Sequence, residues 1–522
     1  MAKTHAKQTG RRGRRPPAGP SSTPGAATTV PAVRVRMYRQ GLGDCFLVTF
    51  DVGGDEAHML IDCGSLGATT TGVKMAEVVE NIRQTTGGHL DVVIATHEHK
   101  DHVSAFRSER TAFEAMDVDR VWLAWTENPN DALARKLAKQ KQDLAAALVD
   151  ASRALTGKTA SAESRAVGLA VHDLLGFGGD PDALGAFAKT INEAMSFVRT
   201  KLTTKPRYFE PGDGPVEESW LRGFRIYVLG PPRSEAALDE TGEHGSSELY
   251  GLAGSLGAGA ALRASGQTVT EYLAGADAAD QEAFQATQPF DPRFRVERES
   301  DRARTMFANY LGEAAWRRVD DDWMHMASDL ALQLDSATNN TSLAIAIERV
   351  ADGKVLVFPA DAQEGNWLSW RDPEVAWTVT DHGGTRTVTA ADLLSRAVFY
   401  KVGHHGSHNG TAKGHGLELM EQEQELTAFI PVDRAVALGR HPKGSWRMPA
   451  VALYRALLEK CQGRVVRSDI GWAEDAAAAV HAEVEQELQG VATPAAWASW
   501  KRSQRAAGHV TIADLFVDYV LA

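Results

Sequence analysis

The sequence lacks any apolar run of the roughly 18–20 residues that a membrane-spanning helix needs. It is also poor in cysteine, with Cys45, Cys63 and Cys461 the only 3 among 522 residues. Three cysteines do not make the disulfide framework of a secreted domain. These absences predict a protein without a membrane span that works in a reducing, cytoplasmic compartment.

Positive charge is also scarce, because the formal net charge is −12. The body of the chain is therefore not predicted to attract nucleic acid over its whole surface. Residues 1–30 differ, with six Lys or Arg, no acid and many Pro, Gly, Ser and Thr residues. That composition cannot bury a core and predicts a disordered basic tail over residues 1–32. The tail is interpreted either as a solubilising segment or as a weak contact to nucleic acid.

The densest chemistry in the sequence follows the apolar run 92–95, which reads as a buried strand. The next residues are Thr96-His97-Glu98-His99-Lys100-Asp101-His102. Imidazole nitrogen and carboxylate oxygen are ligands that zinc, iron and manganese use. Two residues apart in extended chain, the first two histidines point to the same side, and the acid–histidine pair past the turn can bind a second ion.

This His-x-His-x-Asp-His motif resembles that of the metallo-β-lactamase fold superfamily. Other blocks are similar to the ComEC family, the DNA-uptake channel proteins, and occur in that family's order. The blocks are Gly41–Cys45, Met59–Gly64, Asn339–Leu343, Phe358–Asp361 and Lys401–Ser407. Because ComEC proteins are membrane channels and this chain has no membrane helix, we do not expect it to conduct DNA through a bilayer by itself.

The resemblance implies an α/β fold, the four-layer αβ/βα sandwich, in one hydrolase domain over residues 33–475. Alanine- and leucine-rich helical periodicity predicts an insertion at about 129–204, with helices near 131–155, 161–175 and 182–203. A second insertion is expected at about 233–335, and a C-terminal helical extension at 476–522. The insertions offer surfaces for protein partners, and the sequence indicates no oligomeric state.

The resemblance also implies two divalent metal ions, zinc or manganese. The implied ligands are His97, His99, Asp101, His102, Asp361 and His405. Asp361 is expected between the two ions, and His405 is preferred to His404 as the last ligand. Asp62 is expected to support the metal-binding loop from behind the ligands.

The first metal lacks one expected ligand, because no histidine stands where many superfamily members supply a further one. Asn340 lies at about that point and could ligate through its amide oxygen or hold substrate. His244 and His325, in the second insertion, are the other candidates. An oxygen-rich site would favour manganese over zinc.

For catalysis the resemblance implies roles for Asp101, Asp62 and His405. Substrate contacts are expected from Asn340, Lys401, His404 and Ser407, with His408 and Asn409 beside them. The first hypothesis is a nuclease acting on nucleic acid, the second a hydrolase of a small ester, lactone, thioester or lactam, and the third a binding protein with an inactive site. A basic rim around the cleft would favour the nuclease. The candidates for that rim are Arg107, Arg110, Lys401, Arg434, Arg440 and Lys443.

Overall fold

The protein is described from a computed structural model. It describes residues 30–155, 168, 184–203, 205–239, 300–306, 334–381, 384–439, 446–473 and 488–522. The predicted basic tail up to residue 29, the helix near 161–175 and most of the second insertion lie outside these residues. No helix within the described ranges is both long and apolar enough to cross a bilayer.

Two central sheets and two short ones contain the strands. In chain order the strands are β1 (Ala32–Tyr38), β2 (Cys45–Val52), β3 (Asp55–Cys63), β4 (His89–Leu90), β5 (Val92–Ala95), β6 (Asp117–Val118), β7 (Val121–Ala124), β8 (Arg207–Phe209), β9 (Phe224–Val228), β10 (Ile345–Arg349), β11 (Val355–Phe358), β12 (Ala376–Asp381), β13 (Gly384–Thr389), β14 (Ala397–Lys401), β15 (Thr427–Ile430), β16 (Val465–Arg467), β17 (Gly471–Trp472), β18 (Val510–Ile512) and β19 (Phe516–Leu521). The first central sheet has the order β18-β19-β1-β2-β3-β5-β7-β8 and the second the order β17-β16-β15-β14-β11-β10-β9.

Each central sheet combines antiparallel strands with a run of parallel ones. In the first sheet β3, β5, β7 and β8 are parallel, with Ile61 opposite Ile94. In the second sheet β11, β14, β15 and β16 are parallel. Parallel strands end at the same edge, so residues that follow β5, β11 and β14 are brought to one rim of the fold.

Helices cover the outer faces of the two sheets. The described helices have the bounds Met75–Thr85, Lys100–Ser108, Arg110–Glu114, Ala132–Leu155, Leu184–Phe197, Glu235–Leu238, Asp301–Met306, Glu364–Ser369, Ala390–Ser395, Arg434–Gly439, Val451–Lys460 and Pro494–Ala506. Residues 334–340 are also helical. The helices of the first predicted insertion are thus present at Ala132–Leu155 and Leu184–Phe197.

Alternation along the strands creates three apolar layers. In β5, Val92 and Ile94 point into the layer between the two sheets, together with Phe358 of β11. Val93 and Ala95 point the other way, toward the helices on the first sheet. A third layer lies between the second sheet and its own helices. Helix, sheet, sheet and helix therefore follow one another, and the predicted four-layer α/β sandwich is confirmed.

The C-terminal segment differs from the predicted helical extension. Pro494–Ala506 is helical, but the chain then forms β18 and β19. The last strand pairs antiparallel with β1, placing Tyr519 opposite Val35. The run Phe-Val-Asp-Tyr-Val-Leu is rich in β-branched and aromatic residues, which favours strand over helix. The end of the chain is therefore part of the first sheet rather than a separate extension.

Candidate metal centre

The candidate site lies at the rim where the parallel strands end. The histidine motif follows β5, Asp361 follows β11, and His404 and His405 follow β14. Asp62, Ala360, His404 and His405 all have positive φ angles, between 44° and 54°. Non-glycine residues rarely adopt this conformation, and it persists where the surrounding structure holds the backbone for a functional purpose.

His102 sits at the middle of the site with both ring nitrogens beside carboxylates. Its Nδ1 lies 2.7 Å from Oδ2 of Asp62, and its Nε2 lies 3.0 Å from Oδ2 of Asp361. Asp62 also accepts hydrogen bonds from the backbone N–H and the hydroxyl of Thr96. Asp62 therefore fixes both the ring of His102 and the start of the histidine loop, which leaves Nε2 facing the interior of the site.

His405 enters the same site from the opposite sheet. Its Nδ1 lies 2.9 Å from the carbonyl oxygen of Pro431, so that nitrogen carries the hydrogen. Its Nε2 lies 2.9 Å from Oδ2 of Asp101 and 3.4 Å from Oδ2 of Asp361. The structure thus places His405, the preferred ligand, among the carboxylates.

His404 lies toward the outside of the site. Its ring centroid is 6.1 Å from that of His405, and its Nδ1 lies 3.3 Å from Oδ1 of Asn409. Ser407 is buried and donates from its hydroxyl to the same Asn409 oxygen, while His408 is exposed. His404 is half-buried whereas His405 is buried, so His404 lies on the more exposed side of the site, here called its mouth.

His97 and His99 converge as their spacing predicts. Nε2 of His97 and Nδ1 of His99 are 3.2 Å apart. The other nitrogen of His97 lies 3.1 Å from the hydroxyl oxygen of Thr96 and 3.3 Å from that of Ser342. Nε2 of His97 and Nδ1 of His99 therefore face each other, as two ligands of one ion would.

The residues present fit the binding of divalent metal. Neighbouring donor atoms are 2.9–3.4 Å apart, which is the spacing of ligands around one ion with bonds of about 2.0–2.2 Å. Oδ1 of Asp101 is buried without a hydrogen-bond partner, which a cation or its water would supply. One group of possible ligands comprises Asp44, His102, Asp361 and His405.

Buried negative charge is the main electrostatic feature of the site. The carboxylates of Asp44, Asp62, Asp101 and Asp361 are all buried, and Lys401 is the buried cation beside them. Burial lowers the pKa of His102, but Asp361, Asp44 and Asp62 outweigh it and hold that pKa well above its ordinary value. A cluster that stabilises an added proton so strongly also favours a metal cation in its place.

The pKa values of His97, His99 and His404 shift in the opposite direction. Burial lowers the pKa of His99 and of His404 to about 4 in each case, and that of His97 well below its ordinary value. These imidazoles are neutral at pH 7, which is the form that binds a metal. Burial, followed by the charges of Asp101 and Asp361, raises the pKa of Asp335 to about 8 in the metal-free protein. A cation bound among these carboxylates would lower that pKa and favour the ionised form of Asp335.

Lys401 is not placed to contact substrate, which corrects the sequence-based expectation. Its Nζ lies 2.6 Å from Oδ2 of Asp44 and 3.1 Å from Oδ1 of Asp361, and it donates to the carbonyl oxygen of Ala360. Only 1% of its side chain is exposed. An ammonium group so enclosed serves as the counter-ion of the carboxylates.

Asn340 is also placed differently from the expectation. Its amide oxygen accepts from the backbone N–H groups of Gln363 and Asn366, and its amide nitrogen donates to the carbonyl oxygen of Leu238. These bonds join three segments of the fold and engage both the oxygen and the nitrogen of the amide. The preceding Asn339 lies beside His404 instead, with its Nδ2 3.5 Å from Nε2 of that histidine. His244 and His325 lie outside the described residues.

The expected basic rim is not formed by the candidates that the structure describes. Lys401 and Arg434 are buried. Arg107 is paired with Glu193 at 2.8 Å, and Arg110 with Glu114 at the same distance. Arg440 and Lys443 lie outside the described residues. Each of the four described candidates is thus either buried or paired with a glutamate.

The first insertion contacts the histidine motif from behind. Glu98 points away from its neighbours His97 and His99, and its Oε1 lies 3.0 Å from Nζ of Lys141 in the helix Ala132–Leu155. Glu127 follows β7 and lies 3.4 Å from Arg199. Burial, followed by the charge of Glu98, raises the pKa of Glu127 to about 7. Lys141 pairs with Glu98, and Arg199 pairs with Glu127. These two basic side chains of the predicted insertion thus balance two carboxylates beneath the histidine motif.

The family comparison fits this geometry. Residues 38–115 match the family model of the metallo-beta-lactamase superfamily. The match runs from the last residue of β1 past the end of the helix Arg110–Glu114 and contains the histidine motif, Asp44 and Asp62. The observed α/β fold is consistent with that of the metallo-beta-lactamase superfamily, whose members are generally metal-dependent hydrolases. The chain matches no curated protein.

Three site residues were missed by the sequence reasoning. Asp44 follows the Gly41–Gly43 turn, and that position was a usable signal, since the turn delivers it to the rim. Asp335 precedes the Asn339-Asn340 block in a helix, where an acid gives no signal of its own. Ser342 belongs to the recognised Asn339–Leu343 block but was given no role in the site. Its hydroxyl accepts from the backbone N–H of Asp361 and lies beside His97.

Proposed function

We propose that the protein is a dinuclear-metal-dependent hydrolase that cleaves phosphodiester bonds of nucleic acid. The observation that carries the hydrolase assignment is the set of inward-facing imidazole nitrogens around Asp101 and Asp361. The similarity of five sequence blocks to the ComEC family supports nucleic acid as the substrate.

Two adjacent sites follow from the donor atoms. His97 Nε2 and His99 Nδ1 would hold one ion. Asp101, His102 and His405 would hold the other, with Oδ2 of Asp361 beside both of its histidines. Two close divalent cations lower the pKa of a bound water and polarise the bond under attack.

The protein's own groups would orient and neutralise the reacting atoms. Oδ2 of Asp101 is held by His405, whereas its buried Oδ1 has no hydrogen-bond partner and can accept a proton. Asp62 keeps the hydrogen of His102 on Nδ1, so that the lone pair of Nε2 can bind the metal. His404 and Asn409, at the mouth, are placed to contact the substrate beyond the scissile bond.

A second candidate is a hydrolase of a small ester, lactone, thioester or lactam. One observation favours it, because the described candidates for a basic rim are buried or paired with glutamate. A polyanionic backbone gains much of its affinity from lysine and arginine contacts. A small neutral substrate needs no such contacts.

The test incubates the full-length protein with single- and double-stranded DNA and RNA and with a panel of lactones and thioesters. Manganese, magnesium or zinc is added in parallel. We expect nucleic acid cleavage that chelator abolishes and added metal restores. The Asp101→Asn variant keeps the side-chain size but loses the proton acceptor, so the rate should fall by about 10²–10⁴.

Each outcome of this test is informative. Cleavage of lactone or thioester alone would transfer the assignment to the second candidate. Near-wild-type activity of folded Asp101→Asn, shown by an unchanged circular dichroism spectrum, would contradict the proposed role of Asp101. A wild-type protein that binds two ions but hydrolyses nothing in either panel would contradict the hydrolase assignment.

A further inference from the structure

The ring of His99 lies between the imidazole of His97 and the carboxyl group of Asp335. Its Nδ1 faces Nε2 of His97 at 3.2 Å, and its Nε2 faces Oδ1 of Asp335 at 3.7 Å. A neutral imidazole has one N–H and one lone pair. The nitrogen beside the carboxylate is the one where a hydrogen is stabilised, which leaves the lone pair of Nδ1 toward His97.

Asp335 is itself held in position. It lies in the helical residues 334–340, and its Oδ2 accepts from Nδ2 of Asn339, one turn later, at 3.2 Å. Asn339 is fully buried, and the Asn340 bonds to Gln363 and Asn366 fix the end of the same helix. The carboxylate therefore approaches His99 from a rigid element.

The contact is largely withdrawn from solvent. The His99 side chain is 12% exposed and that of Asp335 is 17% exposed. Interactions between a charge and a polar group strengthen as water is removed. At 3.7 Å a shift of a few tenths of an ångström brings Nε2 and Oδ1 into hydrogen-bond range.

We propose that Asp335 is a positioning residue that holds His99 with Nδ1 toward the first metal ion. The inference rests on the proposed function, since it concerns the same metal centre. Carboxylates that hold the outer nitrogen of a metal-binding histidine fix its tautomer and raise its basicity. Asp335 compensates in this way for the missing further histidine.

The test measures metal binding rather than activity. Metal-free full-length protein is titrated with Mn²⁺ or Zn²⁺ by calorimetry. Asp335→Ala should weaken the binding of one of the two ions by about 10- to 100-fold and leave the affinity for the other unchanged. Asp335→Asn should lose less, because its amide oxygen still accepts from Nε2–H of His99. Asp55→Asn, at an exposed aspartate of the β2–β3 hairpin, serves as the matched control and should bind as wild type.

A second readout reports on the histidine itself. In the zinc-loaded protein with ¹⁵N-labelled histidine, one ring should be coordinated through Nδ1 and carry a hydrogen on Nε2. That Nε2–H resonance should shift in Asp335→Asn and stay in place in Asp55→Asn.

Two results would overturn the inference. Wild-type affinity for both ions in Asp335→Ala, with an unmoved resonance in Asp335→Asn, would show that the carboxylate does not act on His99. Equal losses in the Asn and Ala variants would show that the negative charge itself binds the ion. A wild type that binds two ions but hydrolyses nothing contradicts the proposed function and leaves the positioning role intact.

Discussion

Nζ of Lys401 lies 2.6 Å from Oδ2 of Asp44, and both side chains are almost completely buried. The pair joins β14 of the second sheet to the turn before β2 of the first sheet. It stands directly behind Asp361, whose Oδ1 lies 3.1 Å from the same ammonium nitrogen. Burial lowers the pKa of Lys401, but Asp44 and Asp361 outweigh burial and raise it, so Lys401 remains charged.

Removal of this lysine should destabilise the fold. Lys401→Met leaves two buried carboxylates without their counter-ion, and breaking a buried pair in this way costs about 3–5 kcal/mol. We expect a loss of that order in the free energy of unfolding of the metal-free protein, measured by urea denaturation. Lys354→Met is the control, because Lys354 pairs with Glu425 at the surface, where ion pairs contribute about 0–1 kcal/mol. Equal effects of the two substitutions would contradict the counter-ion role.

A glycine contact sets the position of the metal-binding loop. A Cβ atom added at Gly64 would overlap the carbonyl group of Asp101 and the backbone nitrogen of His102. Gly64→Ala should therefore displace both ligands and weaken metal binding by roughly 10- to 100-fold, the range found when ligand-orienting groups are removed. Gly508→Ala, where an added Cβ meets nothing within 4 Å, is the matched control. Wild-type affinity in Gly64→Ala would show that the loop is not held by this contact.

Stability should depend on pH through Glu127. The pKa of its carboxyl is about 7 in the folded protein, against 4.5 for an ordinary glutamate. Between these values the folded state holds a proton that the unfolded state has lost. Stability from this group is therefore present below about pH 4.5 and falls as pH rises to about 7, by roughly 3 kcal/mol.

Urea unfolding at pH 5 and pH 7.5 measures this dependence. Glu127→Gln should lose less stability than the wild type between the two pH values. Glu421→Gln, at an exposed position, should behave as the wild type. A fall of the same size in Glu127→Gln as in the wild type would show that Glu127 does not titrate in this range.

The sequence predicted those parts of the site that follow directly from a strand. The bounds of β5 and β11 match the apolar runs 92–95 and 355–358, and the residues after them reach the rim because parallel strands end together. The spacing of His97 and His99 likewise determines that they point to one side. Local pattern suffices where a single element sets the geometry.

The remaining features depend on pairings between distant segments. Lys401 stands beside a glycine-rich loop in the sequence, yet the sheet buries it against Asp44, more than three hundred residues earlier. Asp335 gives no local signal, because its partner His99 lies in the other half of the fold. The C-terminal strands were missed because β19 is stabilised by its pairing with β1 at the opposite end of the chain.

Metal content per chain tests the central claim most directly. The full-length protein, loaded with zinc or manganese and freed of excess metal by gel filtration, is analysed by plasma mass spectrometry beside Asp361→Ala. The account predicts two ions per wild-type chain and a clear loss in Asp361→Ala, because Oδ2 of Asp361 faces both His102 and His405. A wild-type chain that retains no metal, or an Asp361→Ala chain that still holds two ions, would contradict it.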